Sequence, residues 1–520
     1  MWFAMISVQL QADLSNNSSI VMSLKSWGSK LYAGLVASRL RSEARFAVEN
    51  QEKTLHSLTA RAANTSFGAD HHFRDILSSS DFSQAVPVRD YELLTNYIDR
   101  WKEGENNVLW PGLPMYFCKT SGTTSGTKYI PLTKESLPNH IGSARNALLS
   151  YIAETGKSEF VDGKMIFLQG SPRLDHLPSG IPFGRLSGIV ANHVPGYLQK
   201  NRMPSYATNC IEDWETKVNS IADETIKQHM SLISGIPNWV QMYFEVILQK
   251  TGRSSIREVF PDFSLFVFGG VNFEPYRAKF RQLIGHNVPT IELYPASEGF
   301  LAFQDSQQHE GLLLNTNSGI YFEFIPADEY FNEKPRRVSL RDVRVGVNYA
   351  LILSSNAGLW GYSIGDTVKF VSLDPPRIRV TGRIKHFTSA FGEHVIAEEV
   401  ESAMTNACTL FNTQVTEFHV APMVTPSSGL PYHEWFIETE SLPSSIEAFR
   451  HELDNKMQKQ NVYYRDLIKG NVLQPAVLTF LNKGAFNEYM KSVGKLGGQN
   501  KVPRLANDRK IADFLTRFVV

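Results

Sequence analysis

Between residues 24 and 63 apolar side chains recur at helical spacing, at Leu24, Trp27, Leu31 and Leu35 and then at Leu40, Phe46 and Val48, with no proline among them. This repeat predicts one or two helices with an internal turn at Gly28 or Gly34. Residues 70–110 lose the period. Short helical pieces are interrupted there by Pro87 and an extended stretch at 86–88, and the segment runs into Pro111, Gly112 and Pro114, as a connector does. A strand at 115–119, a Gly/Ser/Thr loop at 120–127, a strand at 128–132 and a helix at 136–155 are predicted next. Through the middle, helical stretches alternate with short β-branched runs at 164–168, 239–249, 265–268, 290–294 and 320–326, a pattern of α/β layers. After Pro335 strands follow one another at 349–354, 367–373 and 377–382, which predicts an antiparallel subregion. Past Lys385 come a helix at 396–406, a strand at 415–421, a Pro/Ser loop at 422–431, a strand at 434–439 and a helix at 444–460. That order makes a compact C-terminal unit of about 130 residues.

Length and composition narrow the class. A chain of 520 residues is several times a prior of about 150 per domain, and 42 % hydrophobic residues supply the cores of more than one folding unit. Lys plus Arg and Asp plus Glu both number 52, so no net charge draws the whole chain to nucleic acid or to anionic lipid. Cys118, Cys210 and Cys408 lie far apart, with neither a zinc-ribbon spacing nor a disulfide framework, as expected of a reducing, cytoplasmic setting. No run of 18 apolar residues predicts a membrane span, and the start lacks a basic region and is broken by Gln9, Gln11 and Asp13, unlike a signal peptide. Residues 1–21 read as a frayed tail or as the product of an upstream start site. No fixed-period repeat is present.

Four segments have the residues for chemistry. In Lys119-Thr-Ser-Gly-Thr-Thr-Ser-Gly-Thr-Lys128, two glycines four apart let the chain expose successive N–H groups, and the hydroxyls of Ser121, Thr123, Thr124 and Ser125 add donors, a surface suited to polyphosphate. It is not a Walker A loop, because Tyr129 follows Lys128 where a magnesium-binding Ser or Thr is required. A polar hairpin loop fits the composition equally well. Tyr294-Pro-Ala-Ser-Glu-Gly299 follows a predicted strand, where Glu298 can hold Mg²⁺ beside phosphate oxygens and Tyr294 can stack on a base; a capped strand-ending turn is the plainer alternative. Gly358-Leu-Trp-Gly-Tyr-Ser-Ile-Gly-Asp366 reads as a glycine-punctuated turn whose Asp366 can accept ribose hydroxyls, or as a hairpin turn with an Asx cap. Lys495-Leu-Gly-Gly-Gln-Asn-Lys501-Val-Pro-Arg504 carries two lysines and an arginine on a glycine-containing loop, either a source of mobile positive charge or a solvated basic turn.

Taken together and in order, these segments resemble the acyl-adenylate-forming superfamily, and within it the Gretchen Hagen acyl acid amido synthetases, known from plants as auxin-responsive proteins and with bacterial relatives. The resemblance extends from about Phe46 to Arg504. It rests on Ser121-Gly-Thr-Thr-Ser-Gly-Thr-Lys-Tyr-Ile-Pro131, Phe268-Gly-Gly-Val271 with Pro275-Tyr-Arg277, Tyr294-Pro-Ala-Ser-Glu298, Tyr362-Ser-Ile-Gly-Asp366 and Asn500-Lys-Val-Pro-Arg504. Acyl-CoA ligases share the glycine loop; Lys128-x-Ile-Pro and Lys501-Val-Pro-Arg resemble the amido synthetases.

The resemblance implies an α/β fold: a large N-terminal adenylate-forming domain of mixed sheets and helices and a smaller α+β C-terminal domain. The expected divisions are a tail and helix at 1–45, a large ATP- and acyl-binding domain at 46–384 and a small mobile domain at 385–520. It implies ATP and Mg²⁺ as cofactors. Ser121, Gly122, Thr123, Thr124 and Ser125 would contact phosphates, Gly269, Gly270 and Tyr294 would frame the adenine, and Ser297 and Glu298 would meet the α-phosphate and the metal. Asp366 and the hinge residue Arg383 would hold the ribose, and Lys501 the reacting carboxylate and phosphate. The sequence departs from the superfamily after Arg383, where Ile384-Lys-His-Phe lacks the common aspartate, and at His394, which stands about where plant members carry a lysine and is one candidate base. The expected partners are a small carboxylic acid and an amine, an amino acid by analogy, joined through acyl-AMP with release of pyrophosphate; no nucleic acid is expected. Trp239 and Met242, in the aromatic stretch 235–244, are candidates for lining the acid pocket, or belong to an ordinary core helix. Acyl-CoA or acyl-carrier-protein ligation, and nucleotide binding without catalysis, are the alternatives.

Overall fold

The computed structural model describes residues 24–121, 127–193, 200–270, 273–384, 387–388, 395–469, 472–496 and 501–520. Among these, eleven strands form one sheet. Across it the strands lie in the order Ile320–Pro326, Asn348–Ser355, Leu359–Leu373, Pro376–Arg383, Leu312–Leu314, Gly299–Phe303, Thr290–Ala296, Leu265–Gly269, Met230–Ser234, Lys164–Phe167 and Arg202–Met203. The sheet changes character at Thr290–Ala296. On one side of that strand every pairing is parallel, and on the other every pairing is antiparallel. This matches the α/β alternation read from the middle of the chain and the antiparallel run read after Pro335.

The parallel half is covered on both faces, as its near-continuous apolar strands require. One face packs Trp214, Trp239, Phe244, Phe266 and Phe280 from the sheet and the helices Trp214–Thr225, Pro237–Thr251 and Glu274–Ile284. The other face packs Leu232, Val267 and Ile291 against Ala33, Val36 and Leu40 of helix Leu24–Arg45 and Ala147 and Ile152 of helix Leu137–Thr155. The antiparallel half shares a third core with a small four-stranded sheet that contains the hairpin Tyr116–Ser121 and Thr127–Leu132.

A separate core, including Met404, Phe418, Trp435 and Phe449, belongs to the C-terminal unit. Its sheet has the order Val415–Met423, Tyr432–Thr439, Val477–Leu481, with helices Ala397–Phe411 and Ile446–Gln460 in that core and Ala485–Ser492 and Lys510–Leu515 in another.

Three expectations are corrected. The N-terminal helical stretch breaks at Phe46, between helices Leu24–Arg45 and Ala47–Ala62, and Gly34 continues inside the first helix with open space around it. Residues 239–249 are helical, and the buried Trp239, Val240, Tyr243, Phe244 and Ile247 form the stripe that turns this helix onto the sheet. The supposed turn 358–366 lies almost wholly inside the 15-residue strand Leu359–Leu373. Only Gly358, with φ +87°, lies in the turn that reverses the chain between strands Asn348–Ser355 and Leu359–Leu373; Gly361 and Gly365, with φ of +55° and +82°, take up irregularities within the strand, and a Cβ on Gly361 would lie 2.7 Å from the carbonyl oxygen of Pro87.

Candidate active site

Strands carry one half of the site. Ala296 and Gly299 are paired across the hairpin formed by Thr290–Ala296 and Gly299–Phe303, so Ser297 and Glu298 form its two-residue turn. The strand thus runs two residues beyond the expected end at Tyr294 and includes that tyrosine. Tyr294 is buried, and its hydroxyl donates to Asp366 Oδ2 at 2.7 Å. Asp366 stands directly opposite Arg383 in the ladder, and Arg383 Nε lies 2.9 Å from Asp366 Oδ1. The expected ribose pair is therefore an ion pair fixed by strand register. Tyr362, on the same strand as Asp366, places its hydroxyl 3.3 Å from Glu298 Oε1.

Electrostatics tie these groups together. Burial and the Asp366 charge raise the pKa of Glu298, while Arg383 and Lys128 oppose the rise. Burial and Asp366 push the Tyr294 phenol far up, and burial with Glu298 does the same for Tyr362, so both remain hydrogen-bond donors at neutral pH. Asp366 raises the pKa of Arg383. Two carboxylates near one guanidinium make a region that gains from added positive charge.

The C-terminal unit supplies it. A Cβ built on Gly270 would lie 2.8 Å from Lys501 Nζ, so the ammonium rests against this glycine at the carboxyl end of strand Leu265–Gly269. Gly270 has φ +84°, so both its backbone and the lysine above it exclude a side chain. Lys501 as a residue is among the exposed ones, yet its amino end sits where lost hydration and the Arg383 charge lower its pKa to about 8, with Asp366 and Glu401 pulling the other way. The segment behind it is pinned to the small unit: Pro503 O is 2.6 Å from His419 Nδ1, and Leu505 bridges Val420 in parallel.

Of the expected site residues, Glu298, Tyr294, Asp366, Arg383, Gly270 and Lys501 are thus brought together. Gly269 adjoins them for a packing reason as well, since a Cβ there would lie 2.5 Å from the carbonyl oxygen of Leu293. Ser121 ends its strand opposite Thr127, closing the hairpin that bears the glycine loop; Gly122, Thr123, Thr124 and Ser125 lie outside the described residues, as does His394. Trp239 is core. It is 2 % exposed, with its ring 4.5 Å from that of Trp214, and Met242 packs partly buried on the same cluster.

Sequence reading gave no role to Tyr362, Tyr276 or Arg504. Treating 358–366 as a strand would have exposed the first, because Tyr362 and Asp366 are then an even number of residues apart and share a face. Among the described residues no group of three or more His, Cys, Asp or Glu side chains is placed to hold a metal. Glu298 is a single half-buried carboxylate, a donor set that suits a cation shared with phosphate oxygens rather than a cage made by protein alone.

A hairpin-borne glycine loop, a carboxylate turn at the carboxyl end of a parallel strand and a lysine brought in by a second unit now stand in the order in which the chain presents them. Residues 36–202 and 186–290 match the GH3 family N-terminal domain, 313–383 its central domain and 398–510 its C-terminal domain. The chain belongs to the GH3 family. This GH3 protein is 28 % identical over 556 aligned positions to the indole-3-acetic acid-amido synthetase GH3.3 of Arabidopsis thaliana, covering 90 % of this chain and 91 % of that one. It is 23 % identical to the jasmonoyl-L-amino acid synthetase JAR4 of Nicotiana attenuata over 61 % of this chain and 66 % of that one. Among solved structures, a GH3.15 acyl acid amido synthetase superposes with a TM-score of 0.77 at 17 % identity, covering 93 % of this chain and 96 % of the other. A 2-hydroxyisobutyryl-CoA ligase in its postadenylation state superposes at 0.53 and 13 % identity over 93 % and 90 %. Both share the fold. As a member of this family the protein is an adenylate-forming ligase of the acyl acid amido synthetase kind.

Proposed function

We propose that this GH3 protein activates a small carboxylic acid with ATP and passes the acyl group to an amino acid, forming an amide. The observation that carries the reading is the Lys501 ammonium held against Gly270, beside the Asp366–Arg383 pair and the Glu298 turn. In the first step a carboxylate oxygen bonds to the α-phosphorus of ATP, the bond to the β-phosphate oxygen breaks, and pyrophosphate leaves. Two anions must approach, so preorganised cations decide the rate. Lys501 serves the carboxylate and α-phosphate, while the loop of Ser121, Gly122, Thr123, Thr124 and Ser125 presents donors to the phosphates. Asp366 and Arg383 meet the ribose, and Gly269, Gly270 and Tyr294 lie on the adenine side. Ser297 and Glu298 face the α-phosphate. Glu298 would hold Mg²⁺ together with phosphate oxygens, where the ion supplies further charge neutralisation.

In the second step the amine nitrogen attacks the acyl carbon, AMP leaves and the amine loses a proton. Lys501 then has no anion pair to neutralise, and the small unit, from residue 385 onward, turns about Arg383 to admit the amine. Three dispersed free cysteines suit a cytoplasmic setting.

Acid-dependent release of pyrophosphate from ATP and Mg²⁺, measured across aryl and alkyl acids with and without an amino-acid mixture or CoA, tests the reading. Release with an acid and faster turnover with amino acids are expected. Acceleration by CoA instead would make the protein a thioester-forming ligase, and ATP binding without release for any acid would favour a nucleotide-binding protein without catalysis.

A further inference from the structure

Two parts of the family pattern have no role in that chemistry, the Pro275-Tyr-Arg277 run and the arginine that ends Lys501-Val-Pro-Arg504. The structure joins them. Arg504 Nη2 donates to the Tyr276 hydroxyl oxygen at 3.0 Å, although the two residues are 228 positions apart. Tyr276 belongs to helix Glu274–Ile284 in the core of the large unit and is 4 % exposed. Arg504 belongs to the small unit. Its Nη1 contacts the Glu417 carboxylate, its Nε lies 3.8 Å from Glu401 Oε1, and its guanidinium carbon stands 4.6 Å from the centre of the Phe418 ring and 5.7 Å from that of Tyr276.

Glu401 and Glu417 flank the arginine from helix Ala397–Phe411 and strand Val415–Met423, so its charge is compensated within the small unit. The bond to Tyr276 adds a directional link between the units only three residues from Lys501. Pro503 stiffens the intervening chain, and its carbonyl is held by His419. Displacing the small unit from helix Glu274–Ile284 therefore moves Lys501 and breaks the Arg504–Tyr276 contact together.

We propose that Arg504 is a positioning residue: held in the small unit by Glu401 and Glu417, it engages Tyr276 to keep that unit where Lys501 meets Gly270, and so supports adenylation without touching the reacting atoms. The inference rests on the two-step reading above and separates its steps. The link is made when Lys501 is in place and is broken when the small unit turns for aminolysis.

Tyr276→Phe deletes the phenolic oxygen and keeps the ring. Acid-dependent ATP–pyrophosphate exchange should fall about tenfold, chiefly in kcat rather than in the KM for ATP, while single-turnover aminolysis of supplied acyl adenylate is unchanged or faster. Arg504→Lys, which keeps the charge near Glu401 and Glu417 and loses the fork, should show the same split. Equal slowing of both half-reactions, or no loss of exchange in either variant, would overturn the inference. The unaltered enzyme separates the two claims: absence of exchange there with every acid tested would remove the two-step reading, whereas normal exchange there and in both variants would remove only the link.

Discussion

The two halves of the site are held by different means. Tyr294, Tyr362, Asp366 and Arg383 project from paired strands, and Glu298 from a two-residue turn between paired strands, so ladder hydrogen bonds and core packing set their positions. Lys501 rides on an extended segment of another unit and reaches the same place through contacts outside the large sheet. The strand-borne half is complete without the lysine, since Asp366 already has Arg383 and Tyr294 as partners. On the proposed reading, nucleotide recognition and charge neutralisation fall to separate bodies. A site built this way can keep its nucleotide while its chemistry changes.

The sharpest challenge to that division is Lys501→Ala. Adenylation should fall by roughly 10² to 10³, the worth of one preorganised charged donor, while ATP binding measured by calorimetry changes little. An equal loss of binding would mean that the lysine belongs to the nucleotide half. Gly270→Ala attacks the same contact from the other side. The new methyl would meet Nζ at 2.8 Å in a backbone of φ +84°, so exchange should drop by about 10 to 100-fold. Unchanged exchange would show that the lysine works from elsewhere.

Titration refines the comparison further. With its pKa lowered to about 8, Lys501 is charged below that pH and neutral above it, so kcat/KM for adenylation should decline as pH rises through about 8, approaching tenfold per unit. Lys501→Arg should remove that limb of the profile if it retains activity, because a guanidinium keeps its charge. Asp366→Asn belongs to the other half. It weakens the Arg383 and Tyr294 contacts and should raise the KM for ATP about fivefold to tenfold, with aminolysis of supplied acyl adenylate less affected. The mildest change is Trp239→Phe, which should cost about 1–2 kcal/mol in denaturant unfolding and leave acid preference as it was. A shifted acid preference would return Trp239 to the pocket.

Much of the strand-borne half was legible in the sequence, Glu298, Tyr294 and Asp366 from the local chemistry of their short motifs and Arg383 through the family resemblance. The glycine-loop hairpin, the Glu298 turn and the C-terminal unit all followed from spacing and turn composition. Where the reading failed, either composition misled or the deciding contacts came from distant parts of the chain. Glycines at 358, 361 and 365 look like one turn, but only Gly358 lies in a turn, and Val86 and Pro87 press on Gly361 inside the strand that follows. Residues 239–249 combine β-branched and aromatic side chains, and that composition obscured a clear i, i+4 stripe at Trp239, Tyr243 and Ile247. Tyr276 and Arg504 are unremarkable apart, and only the fold makes them neighbours.

One further consequence follows from the bridges made by the last twenty residues. Leu505 pairs with Val420 on the free side of strand Val415–Met423, and Val519 pairs with Leu481 on the free side of strand Val477–Leu481. The stretch that delivers Lys501 therefore also covers part of both rims of the small sheet, where unpaired backbone would otherwise invite another chain to add as a strand. If Lys501 serves adenylation as proposed, one ribbon both delivers it and shields the sheet's rims. Substitutions that loosen it should reveal themselves as turbidity on storage as well as in turnover.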